Sequence, residues 1–419
     1  MDRLLQLKLS AMMFLEFFIW GAWYTTVAVF MSEHGMQDLT HWPFTVNPIA
    51  AIVAPFFVGY IADRYFATEK VLGTLHIMGA LFMLLTPQAA GSPLLFILLL
   101  LAYNLCYMPT MSLANTVCFH NIEDQEKQFP LIRVFGTIGW IVAGLGISFL
   151  LGSFVADNVK PEETALPLYL TSAASLLLGL YSFTLPHTPP PAKGEQVSFR
   201  SIVGIDALKK LGSRSFYVFL ASSLLISIPL AAYYNFTQLY LGATGFENIA
   251  ATQTIGQMSE VLFMLLMPFF FIRLGVKWML GVGMLAWVVR YALFALGAPA
   301  PVTWMIILGI ALHGICYDFF FVTGQIYIDK KSTPDIRGQA QGLIILITYG
   351  VGMLIGAQVA GKLFNSFLGS ADALTLDQWQ QFWWIPALFA AAVLILFILL
   401  FDDRVIEEDA EVDPEEFRA

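Results

Sequence analysis

Residues Leu312–Lys330 read LHGICYDFFFVTGQIYIDK and close a long apolar run that opens near Val302. The stretch carries Asp318 where hydrocarbon is expected. A carboxylate in the middle of a membrane helix costs roughly 2.5–3.5 kcal/mol on insertion scales. Chains keep such a residue for a solute pathway, a proton relay or a partner charge. What Asp318 faces therefore organises the reading of everything around it.

The surrounding composition is that of a polytopic membrane protein. Of 419 residues, 58% are hydrophobic and only 12% charged, whereas soluble domains carry about 25% charged residues. The mean hydropathy is +0.73. The 36 Phe and 10 Trp suit a lipid-facing surface with interfacial belts. The net charge of −9 is mostly a tail: Asp402–Ala419 holds nine acids and two bases. Acidity is thus no clue to substrate, and no basic patch points to nucleic acid. Cys106, Cys118 and Cys316 lie in or beside apolar runs, which argues against a disulfide framework or a metal cluster. The N-terminal run MDRLLQLKLSAMMFLEFFIW continues past the length of a signal core, so it reads as a retained first helix.

About 20 apolar residues span the hydrocarbon core. Twelve such segments occur, at 9–31, 46–66, 71–89, 93–118, 130–152, 167–186, 214–240, 249–272, 276–297, 302–326, 338–363 and 380–401. Unpaired backbone groups are not tolerated in lipid, so each is expected to be a helix. On this map the Lys and Arg residues fall on one side or at its edge, except Lys160 and Lys362 on the other side and Arg290 within a helix. The positive-inside rule then places both termini of this multi-pass chain in the cytoplasm.

The chain divides in two. A Pro-rich, charged, amphipathic stretch, PHTPPPAKGEQVSFRSIVGIDALKKLGSR, separates six helices from six. We read 1–186 as an N-terminal half, 187–213 as a cytoplasmic linker, 214–401 as a C-terminal half and 402–419 as an acidic tail. A faint repeat supports two halves: Pro130-Leu-Ile-Arg133 and Pro334-Asp-Ile-Arg337 each introduce a Gly-containing helix. Parallel six-helix halves mark secondary transporters with a site between them.

Gly59-Tyr-Ile-Ala-Asp63-Arg64, between the second and third segments, resembles the signature of the major facilitator superfamily. The resemblance extends to the span count, the central loop and the cytoplasmic termini. It implies an all-α major facilitator fold of twelve transmembrane helices. Gly59, Asp63 and Arg64 would form a conformational latch through charge-assisted bonds at the cytoplasmic helix ends.

Five ionisable residues fall well inside the expected helices: Glu16, Arg133, Glu260, Arg290 and Asp318. Asp318 shares a helical face with Gln325, seven residues on, while His313 and Tyr317 form an i, i+4 pair. Gln253, Gln257 and Glu260 form one polar stripe on an otherwise apolar helix. At membrane depth such a stripe must meet water, substrate or protein. Arg133 opens its helix much as Arg337 does, which suits an interfacial anchor; the functional alternative is a fixed cation facing Asp318 or Glu260. Gly136, Thr137 and Gly139 allow close helix approach beside it. Arg290 is read as the structural partner of an acid on another helix, and Glu16 as either a second proton or substrate site or such a partner. Neutral groups on the seventh segment, among them Tyr233, Asn235, Thr237 and Gln238, join Tyr103, Asn104 and Tyr107 on the fourth. Rings can stack on a planar base and amides offer paired donors and acceptors, which suits a nucleobase or a sugar.

The segments FIWGAWYTT (18–26), YMPT (107–110), IRVFGTIGW (132–140), QMSEVLF (257–263), AWVVRYALFALG (286–297) and CYDFF (316–320) resemble the nucleoside:proton symporters of that superfamily. The resemblance implies that Arg133, Thr137, Gln257, Glu260, Tyr317 and Asp318 form the substrate and proton site, with Asp318, Glu260 and Arg133 in proton coupling. Asn235 and Gln238 are added as substrate contacts from the seventh helix. The expected function is import of a nucleoside with a proton by alternating access. The alternative is a sugar or other polar metabolite on the same fold. An intramembrane enzyme would need a nucleophile–base or metal-ligand cluster, and the scattered His residues form none. A sensor would bind without accumulating. The expected partners are nucleoside, proton and lipid bilayer, with no cofactor, no metal and no nucleic acid, and the protein is expected to be a monomer.

Overall fold

A computed structural model describes residues 2–156, 158–190, 204–333 and 336–402; side chains of 55–64, 125–126 and 205–206 fall outside the description. The latch side chains Gly59, Asp63 and Arg64, most of the linker and nearly all of the tail therefore lie outside the described residues.

The described residues form helices and no strand. In chain order they are α1 (Arg3–Tyr24, resuming as Val27–Glu33), α2 (Pro43–Tyr65), α3 (Thr68–Leu85), α4 (Pro93–Asn121), α5 (Gln125–Leu145) and α6 (Leu166–Ser182). After the linker come α7 (Arg214–Ala243), α8 and α9 within Ile249–Gly297, α10 (Thr303–Lys331), α11 (Arg337–Leu368) and α12 (Leu376–Leu400). Each expected segment overlaps one of these helices. Nine helices among the described residues have the length and hydropathy of a membrane crossing, and Leu166–Ser182 is a shorter apolar one. Ile249–Gly297 holds 49 residues, about 74 Å of helix and more than twice the hydrocarbon thickness. It breaks at Gly275, whose φ of 64° is a conformation that favours glycine. We number 249–274 as α8 and 276–297 as α9.

Local chemistry sets the ends. Pro43 and Pro93 occupy first turns, where the missing N–H costs nothing. Ser213 caps α7 by accepting from Phe216 N, and Thr375 with Gln378 forms a reciprocal capping box on α12.

Buried apolar side chains gather into two large clusters. One runs from Leu9 to Leu185 and includes Ala357; the other runs from Ala207 to Phe401 and includes Val29. Among the described residues, every hydrogen bond between α1–α6 and α7–α12 lies in the middle of the bundle or in the part away from the chain's ends. Examples are Tyr349 to Asn47 at 3.1 Å, Gln358 to Thr45 at 2.8 Å and Asn365 to the Asp38 carbonyl at 2.8 Å. At the same end the His41 ring packs where a side chain on Gly361 of α11 would sit, which presses the two helix sets together.

Candidate functional site

The site begins at a break in α1. Thr25 and Thr26 donate their hydroxyls back to the carbonyls of Gly21 (2.9 Å) and Ala22 (3.1 Å), and the helix is interrupted there. The break frees backbone groups that cannot stay unpaired at this depth. Glutamines from the other helix set satisfy them. Gln238 of α7 accepts from Ala28 N at 3.0 Å and donates to the Tyr24 carbonyl at 3.3 Å; Gln253 of α8 donates to the Thr25 carbonyl at 3.1 Å. Both ends of the amide of Gln238, a residue expected to touch substrate, are spent on the α1 backbone. Asn235, also expected to touch substrate, is fully buried. It lines no described cavity, and its amide has no hydrogen-bond partner among the described residues.

Beneath the break lies a cavity of about 10 Å³, lined by Tyr24, Thr25 and Trp140 from one helix set and Tyr233, Tyr234, Gln253 and Gln257 from the other. That is the room one water molecule needs. Rings crowd around it. Tyr24 meets Tyr234 at 5.5 Å, and Trp20 meets Trp140 at 5.4 Å and Tyr349 at 5.8 Å. Trp20, Trp140 and Tyr349 were not singled out as site residues from sequence. The available signal was Trp20 and Tyr24 at i, i+4, lost among so many other rings.

Arg133 projects from α5. Its guanidinium lies 4.0 Å from the ring centroid of Phe17, a cation–π contact. Gly136 makes the room: a Cβ there would stand 2.7 Å from Arg133 Nη1 and 2.7 Å from the Phe17 ring. Gly139 packs directly on the Phe14 backbone, so α1 and α5 cross closely. Arg337, the repeat counterpart, instead pairs with Asp329 at 3.1 Å on a half-exposed surface. The two arginines share a sequence setting but not an environment.

α8 and α10 make an equally close crossing. A Cβ on Gly314 would fall 2.5 Å from the Ser259 carbonyl and 2.7 Å from Glu260 N. Ser259 also donates to the Ala311 carbonyl. This crossing brings Glu260 beside the turn of α10 that carries Tyr317 and Asp318. Residues Asp318–Val322 form a π-helical turn, a feature frequent at functional sites. The wider turn shifts the register, so Gln325 is exposed while Asp318 is buried. This corrects the expectation that they share a face. Gly314→Ala should force α8 and α10 apart and cost about 1–3 kcal/mol, the usual penalty of overpacking. The check is a fall in melting temperature of the purified protein; an unchanged value would show that the crossing yields freely.

Asp318 is 0% exposed, and neither carboxyl oxygen has a hydrogen-bond partner among the described residues. Arg133, Thr137, Gln257, Glu260 and Tyr317 are half-buried. Glu260 lies on α8 at the Gly314 crossing, one turn of α10 before Tyr317 and Asp318. The structure thus packs α8, which carries Glu260, against the Tyr317–Asp318 turn of α10 at Gly314 and against α5, which carries Arg133, at Gly144. Gln257 stands one turn from Glu260, with a buried Oε1 that accepts no hydrogen bond among the described residues.

Glu16 and Arg290, the other two ionisable residues expected inside helices, have different settings. Glu16 meets His76 at 2.9 Å and Thr110 at 2.5 Å. Nothing in the spacing of a lone imidazole on α3 links His76 to Glu16. Arg290 does not face an acid. Its Nε donates to the Gly309 carbonyl at 2.9 Å, and its guanidinium lies 4.1 Å from the Tyr233 ring centroid. No ion pair to it occurs among the described residues, so the expected acid is replaced by a carbonyl and a ring. No group of His, Cys, Asp and Glu among the described residues is arranged to hold a metal ion.

Residues 3–405 match the family model described as Nucleoside H+ symporter. The chain belongs to the nucleoside:proton symporter family. Two relatives from Escherichia coli strain K12 agree. The protein YegT is 41% identical over 94% of this chain and 93% of its own length. The nucleoside permease NupG is 30% identical over 95% and 96%. The crystal structure of NupG superposes with a TM-score of 0.81 at 28% identity, covering 96% of this chain and all of that one. The fold of this symporter is accordingly that of the major facilitator superfamily. As a member of its family it is a multi-pass membrane transporter whose substrates are a nucleoside and a proton.

Proposed function

We propose that this symporter imports nucleosides across the bacterial cytoplasmic membrane, and that Arg133, Glu260 and Asp318 couple the import to proton entry. One observation carries the reading. The Gly314 crossing sets Glu260 of α8 against the turn of α10 that holds Tyr317 and Asp318, whose carboxyl has no hydrogen-bond partner among the described residues, and Gln257, one turn along α8, lines a cavity with Trp140 of α5, the helix that carries Arg133.

Residues 1–186 and 214–401 act as the two rocking halves, with both termini cytoplasmic. In that orientation the hydrogen bonds between the halves lie on the outer side, as an inward-opening state requires. An ionised carboxylate at 0% exposure with no partner carries a large desolvation cost, whereas the protonated acid carries only that of a neutral hydroxyl. Asp318 is therefore suited to travel inward as the neutral acid. When Glu260 or Asp318 holds the proton, Arg133 is released from their field and can donate to the nucleoside. Thr137 and Gln257 bond ribose or base, and the surrounding rings stack on the base. Substrate drives the change only through binding one state better than the other.

The test is uptake of labelled uridine and adenosine by proteoliposomes under an imposed pH gradient, with glucose and maltose as competitors. Nucleosides should accumulate and compete with each other, and sugars should not compete. Sugar uptake without nucleoside uptake would overturn the assignment. Gln257→Ala should weaken nucleoside binding by about 1–3 kcal/mol, the value of a buried hydrogen bond left unmade. An unchanged Kd by calorimetry would remove Gln257 from the site.

A further inference from the structure

Glu162 lies in the short turn Pro161–Glu163 between α5 and α6, far along the chain from the coupling residues. It is nevertheless 0% exposed. Its Oε1 accepts from Ser148 Oγ at 2.8 Å and from the backbone N–H of Ala250 at 2.9 Å. Ser148 Oγ in turn accepts from Ala251 N at 3.0 Å. Ala250 and Ala251 are the second and third residues of α8, and the first N–H groups of a helix have no partner within it. Asn248, which precedes α8, makes no side-chain capping bond. The N-terminus of α8 is thus capped by side chains of the other helix set.

The backbone around this cap is built to match. Ser148 sits in the π-helical turn Gly146–Leu150 that ends α5, which aims the side chain inward. One turn earlier, a Cβ on Gly144 would stand 2.5 Å from Thr254 Cγ2 and 2.9 Å from the Ala250 carbonyl. α5 and α8 therefore touch through backbone at this end. A carboxylate beside a helix N-terminus also gains from the helix dipole. These bonds exist only while α5 and α8 are in contact, so they favour one state of the transporter over the other.

We propose that Glu162, with Ser148, is the latch that holds the α5–α8 gate shut at the end away from the termini. Its strength sets how the protein divides between its two open states. The proposal rests on the alternating-access reading but not on the identity of the solute. The experiment is pulsed electron–electron distance measurement between spin labels at Ser153→Cys and Glu247→Cys, both exposed, with Cys106, Cys118 and Cys316 replaced by alanine. With the latch intact the short distance dominates. Glu162→Ala should raise the ratio of long to short distances at least about tenfold, as expected for loss of charge-assisted bonds. Glu162→Gln keeps an acceptor oxygen and should move the ratio the same way by less. Ser148→Ala added to Glu162→Ala should change little further. If Glu162→Ala does not fold, the Gln variant alone decides. Unchanged ratios in folded Glu162→Gln and Glu162→Ala would overturn the latch. Failure of the nucleoside reading would appear only in the uptake assay and leave the distance ratio as it is.

Discussion

Liposomes carrying Asp318→Asn should fill with nucleoside only until inside and outside concentrations are equal, whatever proton gradient is imposed. Asparagine nearly matches the acid in shape, so the tight burial between α8 and α10 is kept. What it removes is the ability to alternate between a neutral and a charged form. A membrane potential of 100 mV is worth about 2.3 kcal/mol per charge moved. For one coupled proton, about fifty-fold accumulation should therefore vanish. Exchange of labelled for unlabelled nucleoside needs no net proton movement and should survive. A variant that still concentrates nucleoside would assign coupling to Glu260 instead. If the acids titrate as a pair, Glu260→Gln would also weaken accumulation, and neither residue alone would own the proton.

Part of the proposed site is legible in the chain. Asp318 stood out because hydrocarbon makes a carboxylate expensive, and the Gln253–Gln257–Glu260 stripe because helical period puts the three side chains on one face. Period also misled where the helix departs from its usual turn. A regular period puts Gln325 on the Asp318 face, but across the π-helical turn at Asp318–Val322 Gln325 is exposed while Asp318 is buried. Polarity alone could not say where an amide is spent. Gln238 is a polar residue at membrane depth, but the break in α1 at Thr25–Thr26 claims both of its ends. Partners from distant helices were the least readable. Nothing in spacing links Glu16 to His76, or Glu162 to Ala250, since packing brings them together. Arg290 shows the same limit: a buried cation suggested an acid, and the fold supplies a carbonyl and a tyrosine ring.

Arg133→Ala should lower proton-driven uptake by about a hundredfold or more, with Arg133→Lys in between. The guanidinium is placed by three features at once: the Phe17 ring beneath it, the missing side chain at Gly136, and the close α1–α5 crossing at Gly139. Removing it leaves Glu260 and Asp318 facing each other without a cation. Truncating one member of a buried charged set typically costs about 2–5 kcal/mol, much of it from the charge left behind. Lysine restores the charge but not the planar fork that rests on the ring and can bond a ribose or base in two places. The double variant Arg133→Ala with Glu260→Gln separates the causes. If the loss comes from the stranded acid, the double variant should bind nucleoside better than Arg133→Ala alone while remaining uncoupled. If Arg133 also donates to the substrate, binding should stay weak in both. Near-normal uptake by Arg133→Ala would give the residue the same role as Arg337, a surface anchor at a helix end, and would leave Glu260 to balance Asp318 without help from the first six helices.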